Sequence, residues 1–292
     1  MRSLGWLVML SLPVLLPGLG LAQSAGPGTG HVALPRGEVF APLIADPKEP
    51  EFLVSYLWVR SDLRTTGMGA IGLGQGFGLI RWRGPEAGDG LQLSLAGAVF
   101  AQFDMGTSSN DLLNADYLVG IPVTYHRGGF SARARFYHQS SHLGDEFLLR
   151  TQPVAERVNL SFEAMEVLLA GDLGPFRVYG GGEYIGRRAP TDLKPGRLHG
   201  GLEFRQPGSL FRIGALGRVR LVAALDVRSW QQQSWRPGWS GRGGLEFAPA
   251  LDDWGLGHRL GLLVHLYDGP SPYGQFYLVE VTSVGFGAHF RM

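Results

Sequence analysis

The chain has 292 residues, 45 of them glycine, with 45% hydrophobic, 11% aromatic and 17% charged residues, no cysteine and a formal charge of +1. The lack of cysteine excludes disulfides and thiolate metal or redox chemistry, and the charged fraction is too low for a disordered solvating chain. Near-neutrality gives no electrostatic basis for binding nucleic acid, which leaves the glycine excess beside many aromatics as the feature to explain.

At the N-terminus, Arg2, an apolar run from Leu4 to Leu16, a Pro/Gly break and Leu19-Gly20-Leu21-Ala22 predict a secretory signal over residues 1–22. Pro13, Pro17 and Gly18 interrupt the run before it reaches the roughly 20 apolar residues of a membrane anchor. Without residues 1–22, acidic and basic residues balance. Residues 23–50 are expected as a periplasmic N-terminal segment, Gly/Pro-rich and flexible over 23–36, with 41–50 a short ordered lead-in.

From residue 51 to 292 the dominant period is two. Leu91, Leu93, Leu95, Val99 and Phe103 share one parity, while Gln92, Ser94, Gln102 and Asp104 share the other, as in a strand with one apolar and one polar face. Twelve such runs follow, bounded by Gly, Pro, Asp and Asn turns, with expected starts at Phe52, Ala70, Leu91, Asp111, Phe130, Val158, Phe176, Arg197, Arg218, Trp239, Arg259 and Phe276. A soluble sandwich would alternate too, but it covers its outside with charge. This chain has only Lys48 and Lys194 as lysines to protect sheet edges. A closed barrel in lipid has no edges and turns its apolar face outward. The fold class predicted is therefore all-β, an antiparallel transmembrane barrel of about twelve strands. Glycine then lets a small barrel bend and lets bulky inward side chains fit side by side.

The alternate face is predicted to line the lumen with Arg133, Arg135, Arg177, Glu183, Arg197, His199, Glu203, Arg205, Arg218, Arg220, Asp226, Arg228, Arg242, Glu246, Arg259 and His265. Such charges suit either a narrow anion-biased pore or a lumen filled by Arg–carboxylate pairs. For twelve strands the filled lumen is the expected outcome. Trp58, Trp82, Tyr117, Tyr184, Trp230, Trp239 and Tyr273 read as interfacial anchors. The tight Gly128-Gly129 and Gly174-Pro175 turns are expected on the periplasmic side, and the longer Ser141–Arg157 connection outside. Phe286, Ala288 and Phe290 resemble the C-terminal signature read by the outer-membrane assembly machinery, although Met292 stands where that signature has an aromatic residue.

One strand carries possible chemistry. Phe130, Ala132, Ala134, Phe136, His138 and Ser140 share the lipid-facing parity, about 20 Å above the hairpin turn at the level of His138. A His and a Ser two apart on a strand project side by side, so the imidazole can take the serine proton for attack on an ester. This His-x-Ser resembles that of the outer-membrane phospholipase A family, which implies a twelve-stranded barrel, a lipid-facing nucleophile completed by Asn, and calcium. The lipid A deacylases are similar, with Glu in place of Asn. Here Ser141 and His142 stand where those enzymes continue with Asn and Gly. The predicted parity turns Asn159 and Glu163 toward the lumen, leaving no clear residue to orient His138. In the adjacent loop, His142, Asp145 and Glu146 offer cation ligands, but two carboxylates fall short of calcium's six or so oxygens.

Three blocks, residues 41–50 (APLIADPKEP), 138–146 (HQSSHLGDE) and 267–276 (YDGPSPYGQF), resemble a bacterial outer-membrane barrel family of unknown function. That resemblance implies outer-membrane location and lipid contact, with no assigned substrate. The sequence reading is thus a barrel without catalysis and without a resident cofactor. The alternative is a lipid-facing serine acyl hydrolase, with Ser140 as nucleophile, His138 as base and calcium as its expected helper.

Overall fold

The computed structural model describes residues 30–63, 65–151, 158–214, 217–248 and 258–291; the signal sequence expected over 1–22 and Met292 lie outside them. Twelve long antiparallel strands close on themselves: β2 (Phe52–Ser61), β3 (Thr65–Arg83), β4 (Gly90–Asp104), β5 (Asp111–Arg127), β6 (Phe130–Leu143), β7 (Leu160–Leu173), β8 (Phe176–Ala189), β9 (Gly196–Arg205), β11 (Gly217–Trp230), β12 (Pro237–Ala248), β13 (Arg259–Pro270) and β14 (Glu280–Arg291). Pairing of β14 with β2 and of β3 with β4 completes the ring. Two short strands flank it, β1 (His31–Ala33) on β3 and β10 (Phe211–Ile213) on β11.

The strand starts expected at Phe52, Asp111, Phe130, Phe176 and Arg259 coincide with the observed ones. β3 begins at Thr65, five residues before Ala70, and β14 begins at Glu280 because Gly274–Phe276 form a 3-10 turn. Gly128 (φ 57°) and Gly174 (φ 64°) adopt the left-handed conformation that tight turns require. The end holding these two turns is called the hairpin end below, and the opposite one the loop end. Length asymmetry between the ends is incomplete, since the hairpin end also carries the long connections 206–216 and 249–258. At the loop end, the connection after β6 forms α1 (Asp145–Thr151), which the sequence pattern does not announce.

Alternation sorts side chains as expected. On β4, Leu91 and Leu95 are exposed, whereas Gln92, Ser94 and Asp104 are fully buried. The outer surface is a continuous apolar band including Leu73, Phe77, Ile121, Val167 and Phe286, the arrangement a bilayer stabilises. Trp58, Trp82, Tyr117, Tyr184 and Trp239 lie on it. Trp230 and Tyr273 do not. Trp230 is buried and donates its indole N–H to the Lys194 carbonyl at 2.8 Å, and Tyr273 stacks on the Lys48 ammonium at 4.4 Å.

The interior is occupied by the chain's own N-terminal segment. Phe40, Leu43, Ile44, Ala45 and Asp46 are nearly or wholly inaccessible. Phe40 and Leu43 pack on Leu168, Ala170 and Tyr179, and Ile44 packs on Val222 and Leu263. Within the region expected as a periplasmic segment, residues 31–33 therefore extend the sheet and 38–51 sit inside the barrel. At the loop end, α1 places Phe147 among Val59, Met68 and Leu113, edge-on to Phe276 at 5.7 Å.

Candidate functional site

β6 builds the outer-facing site. Its register sets His138 between Val119 of β5 and Glu163 of β7, and Ser140 between Tyr117 and Ser161. The His138 side chain is 40% exposed, and its Nδ1 lies 3.2 Å from Glu163 Oε1. Ser140 Oγ has no hydrogen-bond partner among the described residues, so its hydroxyl is free. It stands three residues before the loop end of β6.

Glu163 is a correction to the expected parity. On β7 the inward set is Leu160, Phe162, Ala164, Glu166, Leu168 and Ala170, which turns Glu163 outward. Polarity misleads there because the interior beside β7 is apolar near the loop end: Leu160, Phe162 and Ala164 join Phe100, Leu118 and Ile185 in a buried cluster. Inside means enclosed, not polar, and only further down the strand does Glu166 meet Arg133 (3.1 Å) and Arg135 (3.0 Å). A bulge opposite Glu163 in the β7–β8 pairing adds to the irregularity.

Directly behind Ser140, the inward Ser141 joins a buried cluster. Its Oγ contacts Asn114 Oδ1 at 3.0 Å and also Asp116; Asn114 Nδ2 donates to Asp116 at 3.0 Å. Asp116 accepts from the Gly274 backbone N–H at 3.0 Å and pairs with the Lys48 ammonium. Gln275 Nε2 donates to the Ser141 carbonyl at 2.8 Å. The blocks 41–50, 138–146 and 267–276, far apart in sequence, thus converge on one spot through Lys48, Ser141, Gly274 and Gln275. Burial pushes the Lys48 pKa down from its ordinary range despite Asp116.

His142, Asp145 and Glu146 stand at the rim above Ser140. His142 packs edge-on to Tyr117 at 5.7 Å. Asp145 and Glu146 are exposed first-turn residues of α1, where a carboxylate favours the helix N-terminus. Among the described residues, the group of His, Asp and Glu spaced to hold a metal is instead Asp46, His199 and Asp226, all buried. That group is already satisfied, by Arg228 on Asp46 (2.5 Å), Tyr179 on Asp226 (2.6 Å) and His199 on Asp226 (2.6 Å).

The inward charges pair with one another or with the internal segment. Arg133 reaches Glu49 (2.9 Å), and Arg177 reaches the Ala41 carbonyl (2.8 Å) and Glu203 (3.4 Å). Arg205 bonds Glu203 (2.7 Å), Arg197 bonds Glu183 (2.8 Å) and Arg220 Nε bonds Glu246 (2.8 Å). Arg242 donates to Glu51 (2.8 Å) and to the Ile44 carbonyl (2.9 Å). His265 faces His289 Nε2 at 2.7 Å. Burial raises the Glu51 pKa, but Arg291, His289 and Arg242 outweigh it and hold that carboxyl below its usual range. Alternation could not reveal Asp46, Lys48, Glu49 and Glu51 as lumen residues, because they lie on irregular backbone; their only signal is the density of charge and proline in 45–51.

A closed twelve-strand antiparallel barrel with an apolar girdle defines an outer-membrane type of β-barrel. Solved structures agree on the fold. Outer membrane phospholipase A from Escherichia coli superposes with a TM-score of 0.55 at 14% identity, over 86% of this chain and 93% of that one. The calcium-bound dimer of the outer membrane phospholipase from Salmonella typhi gives 0.54 at 13% identity, over 84% and 94%. No curated protein matches the chain. The chain belongs to the family described as protein of unknown function (DUF1207), whose model matches residues 26–292.

Proposed function

We propose that this protein is an exported, integral outer-membrane serine acyl hydrolase that attacks membrane lipids from the barrel's lipid-facing side. The observation that carries this reading is the 3.2 Å contact between His138 Nδ1 and Glu163 Oε1 on the outer face, one step along the strand face from the free Ser140 hydroxyl. A carboxylate on Nδ1 fixes the tautomer that leaves Nε2 as the base. Ser140 Oγ attacks the ester carbonyl carbon while His138 takes its proton, then returns it to the departing alcohol. Water, deprotonated by His138, hydrolyses the acyl-serine to free fatty acid and serine. A bilayer beside this surface would present acyl esters to the outward hydroxyl, which supports membrane lipid as the substrate class.

The phospholipases named above lend the reading support by activity and fold. One of them holds calcium, and the residues here do not fit such a site. Asp145 and Glu146 supply two exposed carboxylates where calcium takes about six oxygens. No step is routed through the ion. The internal segment 38–51 favours a closed barrel over an anion-biased pore, and residues 1–22 supply the export signal this location requires. Outward Phe286 and Phe290 on β14 suit recognition by the assembly machinery.

The test is phospholipid turnover by protein purified in detergent, against Ser140→Ala. Loss of at least about 10³-fold is expected when the nucleophile is removed. Equal turnover by the two proteins, each showing heat-modifiable gel mobility, would overturn the hydrolase.

A further inference from the structure

The loop-end part of the lumen holds a second candidate site, unrelated to the outer-facing serine. A small cavity of about 80 Å³ lies there, opening toward the rim at Gln233 and Tyr277. Its lining includes four cations, Lys48, Arg135, Arg197 and Arg228, and no carboxylate among the described residues. The acidic partners of these cations, Asp116, Glu166, Glu183 and Asp46, are bonded to them from outside that lining.

Donors outnumber acceptors at this wall. A guanidinium carries five N–H donors, and Arg197 commits Nη1 to Glu183 while its plane lies against Trp230 at 4.0 Å and Phe162 at 4.8 Å. Arg135 is buried, commits Nη2 to Glu166, and leaves its Nε without a hydrogen-bond partner. Gln139, buried on the same strand and lining the cavity, makes no side-chain hydrogen bond among the described residues. Buried donors without acceptors are costly. Two such donors, Arg135 Nε and Arg228 Nε, belong to side chains that line this void, and Arg and Lys are the side chains suited to planar or tetrahedral oxyanions.

We propose that this cavity binds the anionic group of a small oxyanion-bearing solute, a phosphate monoester or carboxylate, whose body extends toward the open rim. The aromatic surfaces of Trp230 and Tyr277 would pack against that body. This proposal does not depend on hydrolase activity, because Ser140 and His138 point away from the cavity.

The experiment is calorimetric titration of the full-length, detergent-solubilised protein with glucose 6-phosphate, glucuronate, inorganic phosphate and neutral glucose, with Trp230 fluorescence as a second readout. Binding of at least one anion about tenfold more tightly than glucose is expected, with Arg135→Gln weakening it about tenfold. Gln139→Ala, which breaks no ion pair, should weaken it about threefold and guards against misfolding of the arginine variant. A response to glucose 6-phosphate and phosphate alone assigns the phosphate source, and a response to glucuronate alone assigns the carboxylate. No binding of any anion up to about 10 mM, equal binding of glucose, or unchanged affinity in Gln139→Ala would overturn the proposal.

Discussion

The two faces of β6 differ in how many partners hold their side chains. Outward, His138 and Ser140 meet few partners: one carboxylate for the imidazole and none for the hydroxyl. Inward, Arg133, Arg135 and Ser141 are each more than 90% buried and together are tied to four other segments. Alternation gives adjacent residues opposite environments, so the proposed chemistry and its support occupy neighbouring positions of one strand. The proposed pair, on the outer face, has little around it to hold it still. Its backbone is held from behind, by a buried network on the inner face.

Paired substitutions break or sharpen this contrast. The largest effect expected is on turnover in Ser140→Ala, about 10³-fold or more, with thermal unfolding shifted little because the hydroxyl has no partner. Arg133→Ala should do the reverse, removing about 3–5 kcal/mol of stability because Glu49 and Glu166 are left as buried carboxylates short of a cation; denaturant-induced loss of the folded gel band measures it. Ser141→Ala, one residue from Ser140, is expected to cost about 0.5–1.5 kcal/mol of stability through the one donor that Asn114 and Asp116 lose while their other partners remain. Its residual turnover should fall less than that of Ser140→Ala; equal losses would erase the division between the faces. Glu163→Gln should lower turnover while moving stability by less than about 1 kcal/mol, since the pair is partly exposed.

Acid probes the inner network through Glu51. Glu51 has its carboxyl held below the ordinary value of 4.5, so its contribution is complete above that pH and is lost as pH falls through the lower folded value. Protease protection of residues 38–51 should decline on acidification below about pH 4.5, and Glu51→Gln should lack the Glu51-dependent part of that decline. An identical profile in both proteins would remove Glu51 from the account.

Most of the barrel was legible because lipid imposes an apolar outer face on every strand. Phe130 to Phe136 and Leu91 to Leu95 show that period without ambiguity. Where the interior itself becomes apolar, as around Leu160, Phe162 and Ala164, polarity no longer separates inside from outside, and Glu163 is misplaced by the same rule that places Arg135 correctly. The segment 38–51 has no period to detect, since its partners are set by tertiary contact with strands far along the chain. Its block of sequence was visible as a family resemblance, but its seat was not. Glycine's role was legible in kind. At Gly201, a Cβ would stand 2.3 Å from the Tyr179 hydroxyl that crosses to Asp226, so Gly201→Ala should displace that tyrosine and cost about 1–3 kcal/mol.

The internal segment also bears on how the molecule is assembled. Ile44 bonds a residue 159 positions away, Arg242 reaches Glu51 across 191, and Arg291 reaches Glu51 across 240. Contacts of such separation form only after the entropy of closing the intervening chain has been met. The segment leaves the ribosome before every strand of the ring, yet its contacts reach β6, β12 and β14, so the full set exists only once the last strand has been made. Like a keystone, it can be fully seated only in a ring that is complete.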